Sequence, residues 1–360
     1  MRDFREIIAR AVEAGASDVF VIAGQPLSYK VGKEIAKVDD RIMMPEDTRA
    51  FLEQAYSVAG RNITRFIETG DDDFAISIPG LTRLRLSAFK QRGSWAAVVR
   101  IISFSIPDYR KINIPESVMS LANINRGLVL VTGTAGSGKS TTLSCIIDRI
   151  NKTRSGHIIT LEDPIEFLYR NINCIISQRE INLDTEDFVT ALRASLRQSP
   201  DVILLGEMRD YETIKTALTA VETGHIVYST MHTLGTANCV ERIIDIFPPN
   251  QQHHVRIQLA MLLEAVVSQQ LVPTVDGGVI PVFEVLRVNK AVRNLIREAK
   301  THQIEAVVAS GGEEGMQSMD NHLLHLLKEG VISEETALLY ATHPDLIAKR
   351  IETLKNDVRR

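Results

Sequence analysis

Residues Gly133 to Ser140 read Gly-Thr-Ala-Gly-Ser-Gly-Lys-Ser. This is the GxxxxGK[ST] spacing of a loop that wraps phosphate. Its glycines let backbone N–H groups curl around phosphate oxygens, and a helix opening behind the loop adds a favourable dipole. Gly133, Thr134, Ala135, Gly136, Ser137, Gly138, Lys139, Ser140 and Thr141 are therefore the candidate binding residues for ATP. Lys139 would reach the β- and γ-phosphates, and Ser140 would ligate Mg²⁺.

A phosphate loop alone means binding. Hydrolysis also needs a carboxylate near the γ-phosphate to polarise water. Glu207 ends the apolar run DVILLGE, at a C-terminal strand edge of the kind where open α/β sheets hold ligands. The residue before it is Gly206, where an Asp would more usually stand, so Mg²⁺ contact falls to Glu207 or to water. A second acidic cluster, Glu162-Asp163-Pro164-Ile165-Glu166, ends another strand, and Pro164 stops that strand and turns Glu166 outward. Both clusters are expected on strands neighbouring the one before the phosphate loop.

His225 and His232 begin and end the run HIVYSTMH, and their spacing puts them on opposite faces of a strand, so they are no metal pair. Thr230, His232 and Thr233 fall at its C-terminal end, where a hydrogen bond could sense a γ-phosphate. Arg83 and Arg85 share the polar face of a strand, Arg100 interrupts an apolar strand, and Arg110 sits at a domain edge. Surface solvation is the plain reading of each. The sharper one is an arginine that reaches a neighbouring chain's γ-phosphate, because guanidinium engages phosphate oxygens bidentately. Spacing does not choose among them.

The elements that must hold these groups alternate. Apolar runs at 127–133, 157–163, 201–207 and 225–232 read as buried strands. Between them lie helical stripes: Leu143, Ile146, Ile147 and Ile150; Phe188, Leu192 and Leu196; Ile214, Ala217, Leu218 and Val221. That order predicts a parallel sheet covered on both faces. From about Pro248 the pattern reads as helical, apart from a short strand near Val279 to Val285. The first hundred residues differ. A helical stripe at Phe4, Ile7, Ile8, Ala11 and Val12 precedes a strand at 18–24, helices follow at 46–56 and 62–68, and strict alternation runs through Phe74, Ile76, Ile78, a Pro79-Gly80 turn, then Leu84, Leu86 and Ala88. With a further strand at 95–102, this is an antiparallel sheet with helices on one face, an α+β module. The expected division is a first domain at 1–110, a linker at 111–125 and a second domain at 126–360.

Composition narrows the function. The chain's 360 residues carry 41 basic and 45 acidic side chains, a formal charge of -4, without the basic excess of a protein that grips nucleic-acid phosphates. Cys145, Cys174 and Cys239 form no CxxC pair, which argues against a disulfide framework or a tetracysteine zinc site and for reduced, buried thiols of a cytosolic protein. The N-terminus lacks a signal-peptide apolar core, and no run of 18 apolar residues is present to make a transmembrane helix.

The segments GTAGSGKSTT, LEDPIEF, ALRASLRQSPDVILLGEMRD, ETIKTALTAVETGH and STMHT together resemble the secretion-ATPase superfamily of pilus and secretion motors, as its Walker A, Asp box, Walker B and His box. ASDVFVIAGQP resembles the start of that family's PAS-like N-terminal domain, although the family's ASDLHL pattern carries a His that is missing here. GMQSMDNHLLHLLKEGVIS is similar to the C-terminal region of the type IV pilus retraction ATPases, and KAVRNLIREAK to their AIRNLIRE motif, which the family links to retraction.

The resemblance implies an α/β fold: a C-terminal RecA-like P-loop NTPase domain with a parallel sheet, plus a smaller α+β PAS-like N-terminal domain. It implies a homohexameric ring that hydrolyses ATP with Mg²⁺. Glu166 would be the general base or water-positioning residue, Glu207 the Walker-B glutamate, and His225 and His232 the His-box residues. Arg83, Arg85, Arg100 and Arg110 become candidate trans arginines. The expected role is retraction of a type IV pilus from the cytoplasmic face of the inner membrane. It would act on a pilus platform protein there, with a paralogous motor ATPase as a further partner and with no nucleic acid. The rivals are a pilus-assembly or type II secretion ATPase, whose relatives commonly carry a tetracysteine zinc module, and a nucleic-acid translocase, which the acidic balance disfavours.

Overall fold

The structure, a computed structural model, describes residues 3–32, 34–102 and 106–358. Packing divides the chain into two units, Met1–Ser105 with Glu166–Leu168, and Ile106–Ile165 with Tyr169–Arg360.

The first unit begins with α1 (Phe4–Glu13), which buries the expected stripe Phe4, Ile7, Ile8 and Ala11. Strands β1 (Asp18–Ile22), β2 (Pro26–Val31) and β3 (Glu34–Ile42) follow, then helices α2 (Pro45–Ala59) and α3 (Thr64–Thr69). Strands β4 (Asp71–Ile78), β5 (Thr82–Gln91) and β6 (Ser94–Ile102) complete an antiparallel sheet in the order β3-β2-β1-β6-β5-β4. The predicted alternation holds: Phe74 pairs with Leu86 and Ile76 with Leu84, all buried, around the Pro79-Gly80 turn. The opposite face carries one charged row across four strands, in which Lys30 stands opposite Asp18, Asp18 opposite Arg100, and Arg100 opposite Arg85. Asp18 accepts a bond from Arg100 Nε at 3.0 Å. Like charges facing each other across strands repel, so Arg85 is the excess cation of this row.

The second unit opens with α4 (Glu116–Met119), a 3-10 turn at Ser120–Asn123, β7 (Gly127–Thr132), α5 (Lys139–Thr153), β8 (Gly156–Glu162) and β9 (Cys174–Glu180). Then come α6 (Phe188–Ser195), β10 (Val202–Leu205), α7 (Tyr211–Glu222), β11 (Ile226–Met231), α8 (Thr236–Asp245) and α9 (Pro249–Leu262). Strands β12 (Leu263–Pro273) and β13 (Val279–Arg287) precede the closing helices α10 (Lys290–Arg297), α11 (Ile304–Ser310), α12 (Met319–Lys328), α13 (Glu334–Tyr340) and α14 (Pro344–Val358).

Its sheet runs β13-β12-β7-β11-β10-β8-β9, parallel except for the β12–β13 pair. Strict alternation sorts the strand residues into two cores. Leu128, Leu130, Ile203, Leu205 and Val227 face helices α6 to α10. Val129, Val131, Val202, Leu204, Ile226 and Tyr228 face α5 and the α4 segment. This is the doubly covered α/β sheet that the buried runs predict.

Three expectations need correction. Residues 111–125 are no linker: Ile114, Val118, Met119, Leu121 and Ala122 are buried in the second unit's core. The stretch after Pro248 holds two strands rather than one short strand, because after α9 the eleven-residue β12 extends the sheet before β13. The strands carrying the acidic clusters are not direct neighbours of β7, since β11 lies between β7 and β10, and β8 lies beyond β10. The three cysteines are free and buried. Among the described residues no helix is long and apolar enough to cross a membrane.

Candidate active site

The parallel strands end along one edge of the second unit, and that edge collects the chemistry. β7 stops at Thr132, the phosphate loop follows, and α5 begins at Lys139. Gly133 has φ of 150°, and a Cβ there would stand 2.3 Å from the carbonyl oxygen of Gln269 and 2.7 Å from Ser137 Oγ. Only glycine fits so close an approach of loop to strand.

Lys139 is 7 % exposed, and its Nζ donates to the carbonyls of Gly133 and Thr134, each at 2.9 Å. The ammonium thus already lies over the loop. Ser137 Oγ is buried and has no protein partner. A buried hydroxyl without a partner is costly, and a phosphate oxygen inside the loop is a fitting acceptor for it. Thr134, Ala135 and Gly136 are exposed, and Ser140 and Thr141 half-buried, so the loop faces outward for a ligand.

Adjacent strands bring Glu207 and His232 together. Leu205 of β10 pairs with Ser229 of β11. The next residues are stapled across: Thr230 Oγ1 donates to the Gly206 carbonyl at 2.7 Å, and the Met208 N–H to the Thr230 carbonyl at 3.0 Å. His232 Nε2 then stands 3.2 Å from Glu207 Oε2, which also forms an ion pair with Arg209 Nε at 2.6 Å. Gly206 packs against the end of β8, where a Cβ would lie 3.2 Å from the Leu161 carbonyl oxygen. That crowding accounts for a glycine where an Asp was looked for.

The His232 segment is tied to the phosphate loop as well. Thr132, the last residue of β7, accepts the Thr233 N–H at 3.1 Å, and the two hydroxyls are 2.7 Å apart. The Thr230 hydroxyl is therefore engaged with backbone and the Thr233 hydroxyl with that of Thr132, while His232 is paired with Glu207. His225 lies elsewhere. Its Nδ1 is 3.0 Å from both the Ala220 carbonyl and Thr223 Oγ1, at the C-terminal end of α7 and the opposite end of β11 from His232. A six-residue strand separates the two by roughly 20 Å, so His225 is a helix-end residue here.

The acidic cluster after β8 divides in two. Glu162 is buried and accepts from Thr160 Oγ1 at 2.6 Å and Gln178 Nε2 at 3.2 Å, a structural use. Glu166 is exposed and belongs to the segment 166–168 that packs with the first unit. Arg83, Arg85 and Arg100 are also of the first unit, on the charged sheet face described above. Arg110 falls in the second unit, exposed, with its guanidinium 5.0 Å from the Tyr109 ring centre.

Residues that the spacing did not single out also serve this edge. They are Thr132, Arg209 and Gln269, the last of which accepts from Thr142 Oγ1 at 2.7 Å. Their one advance signal is polarity inside or beside apolar strand runs. Among the described residues no cluster of three His, Cys, Asp or Glu side chains could hold a metal unaided.

The profile of type II/IV secretion system proteins matches residues 1–279. The chain is 39% identical to the Type IV pilus retractation ATPase PilT of Pseudomonas aeruginosa, over 95% of this chain and 99% of that one. It is 40% identical to the Type IV pilus ATPase PilU of the same organism, over 94% of this chain and 88% of that one. A crystal structure of the pilus retraction motor PilT with bound ADP superposes with a TM-score of 0.88 at 42% identity, covering 97% of this chain and all of the other. With that match in sequence and architecture along nearly its whole length, the chain is a member of the type II/IV secretion system protein family.

Proposed function

We propose that this chain is an ATP-driven motor that powers type IV pilus retraction. The observation that carries the reading is the edge itself, where the phosphate loop, Glu207 and His232 are hydrogen-bonded into one frame, in a chain matched end to end by a retraction ATPase.

In this reading ATP lies on the loop, and Lys139 exchanges its two carbonyl partners for phosphate oxygens. Ser140 and Glu207 would hold Mg²⁺, which when bound offsets phosphate charge. Glu166 acts as base or orients the attacking water, and His232 responds to the γ-phosphate through its bond to Glu207. Cations for the transition state come from a neighbouring chain, drawn from Arg83, Arg85, Arg100 and Arg110. Arg85 is favoured because the charged row leaves it without an acid opposite. The assembly is a homohexameric ring in the cytoplasm. It docks on an inner-membrane platform protein, and hydrolysis moves its two units as rigid bodies.

The 40% identity to the Type IV pilus ATPase PilU, beside 39% to PilT, favours as a second reading a pilus ATPase that works with a paralogous motor. Purified protein tests the chemistry: wild type should turn over MgATP, and Lys139→Ala should not. Cells test the role. Deletion should abolish twitching and leave excess pili, whereas normal twitching without excess pili would overturn retraction. Loss of twitching restored by overproducing the paralogue would favour the accessory role.

A further inference from the structure

β12 carries two polar residues into an apolar interior. Ser268 and Gln269 are 0 % and 2 % exposed. Both side chains are spent on the phosphate-binding edge. Ser268 Oγ accepts the Gly235 N–H at 3.0 Å, in the segment that follows His232. Gln269 Oε1 accepts the Thr142 hydroxyl at 2.7 Å, from the first turn of α5.

Gln269 also meets the loop at both ends. Its carbonyl oxygen lies 2.3 Å from where a Cβ on Gly133 would be, and its Nε2 lies 2.9 Å from the corresponding point on Gly138. One buried residue thus abuts the first glycine, the last glycine and the helix behind them. Burying an amide in a sheet core is costly unless its bonds are made. The strand does not need that side chain to stay in place, because ladder pairing holds β12 to β7 from Leu263 to Ser268 and to β13 from Ala265 to Pro273.

We propose that Gln269 is a positioning residue of the phosphate loop. It sets the separation of Gly133 and Gly138 at which the loop's N–H groups converge on phosphate, with Thr142 as its anchor on α5. This rests on the nucleotide-binding reading above and extends it to a strand outside the recognised motifs. Gln269 acts through the loop, so its loss should weaken nucleotide binding more than it slows the chemical step.

The test is a mutant cycle in the full-length protein. Gln269→Met keeps length and volume and removes the bond, and Thr142→Val removes it from the helix side without touching the strand. Each is read by MgATP turnover, MgADP binding by calorimetry, and thermal melting. The expected result is a KM for ATP and a Kd for ADP raised about tenfold in each single variant, with kcat within about twofold of wild type. The double variant should be no worse than the weaker single one, because both remove the same bond. A merely structural role would lower the melting temperature and leave KM alone. An unchanged KM in both single variants, or additive losses in the double one, would overturn the proposal. If wild type neither binds ADP nor turns over ATP, the nucleotide reading itself fails, and that arm is separate from the variants.

Discussion

His232 Nε2 stands 3.2 Å from Glu207 Oε2, and the two residues leave the ends of adjacent parallel strands. The same carboxylate oxygen is ion-paired with Arg209 at 2.6 Å, so Glu207 has two competing neighbours. Removing His232 or neutralising Glu207 should break this pair and leave the phosphate loop intact. His232→Ala and Glu207→Gln are expected to bind MgADP within about threefold of wild type and to lose at least about tenfold in kcat. Calorimetry beside a phosphate-release assay checks this. Tenfold weaker ADP binding by either variant would place these residues in the loop's own architecture instead.

Gly133→Ala meets a backbone oxygen, which cannot swing aside as a flexible side chain would. Overpacking of this kind costs on the order of 1–3 kcal/mol. The variant should show a lower denaturation midpoint and lose ADP binding. Gly136→Ala provides the contrast: among the described residues no atom beyond its chain neighbours lies within 4 Å of its Cβ position, so its positive φ of 77° is what opposes the change. The order of the two effects, read by urea unfolding, is the measurement.

Arg293, in the segment resembling the family's retraction motif, has a structural task. Its guanidinium donates to the Ala260 and Met261 carbonyls at 2.7 and 2.9 Å and to Glu264 Oε1 at 2.9 Å. It caps the end of α9 and ties α10 to the start of β12. Arg293→Ala should therefore cost about 1–3 kcal/mol of stability while basal ATP turnover per folded protein persists. Denaturation curves beside active-site titration decide. A variant as stable as wild type but immotile in cells would move this arginine's role to an external partner.

His322 gives a pH signature. Its ring is stacked on Phe283 and accepts that residue's N–H at Nδ1, and burial pushes its pKa from 6.5 down to about 4. The fold therefore holds the neutral imidazole. The unfolded chain takes up its proton first as pH falls. This contribution is complete above about pH 6.5 and is lost as pH drops through about 4, amounting to on the order of 3 kcal/mol. His322→Asn keeps an acceptor near Nδ1 and removes the titration, so its stability should fall less steeply between those pH values. Urea midpoints at pH 7.5 and pH 5 make the comparison, and parallel slopes for the two proteins would refute it.

The parts of this site that were legible in advance are those written locally. Loop shape depends on glycines at fixed offsets, and Gly133, Gly136 and Gly138 all take positive φ. The runs that became β7, β8, β10 and β11 are buried on both faces and so read as continuous apolar stretches. What stayed hidden was non-local. An apolar run says that a strand exists but not which strand lies beside it, so the insertion of β11 between β7 and β10 was not readable. β12 was missed because its LEAVV start fits a buried helix as well as a strand, and no Gly or Pro marks the change. His225 and His232 look equivalent as the two ends of one run, and only the direction of the strand sends one to a helix end and the other to Glu207.

α9 ends at Leu262 and β12 begins at Leu263, with no turn between them. Every other passage from helix to strand in this unit crosses a loop that could absorb a displacement. Here the junction has no loop, and its one irregularity in pairing with β7 is the register shift between Leu263 and Ala265. α9, and α10 clamped to its end by Arg293, are joined through this strand to the amide that abuts Gly133 and Gly138. A loop-free stretch of backbone thus runs from the helical flank to the phosphate loop, so a displacement of that flank would have to be taken up by the bulge at the start of β12 or passed on to the loop.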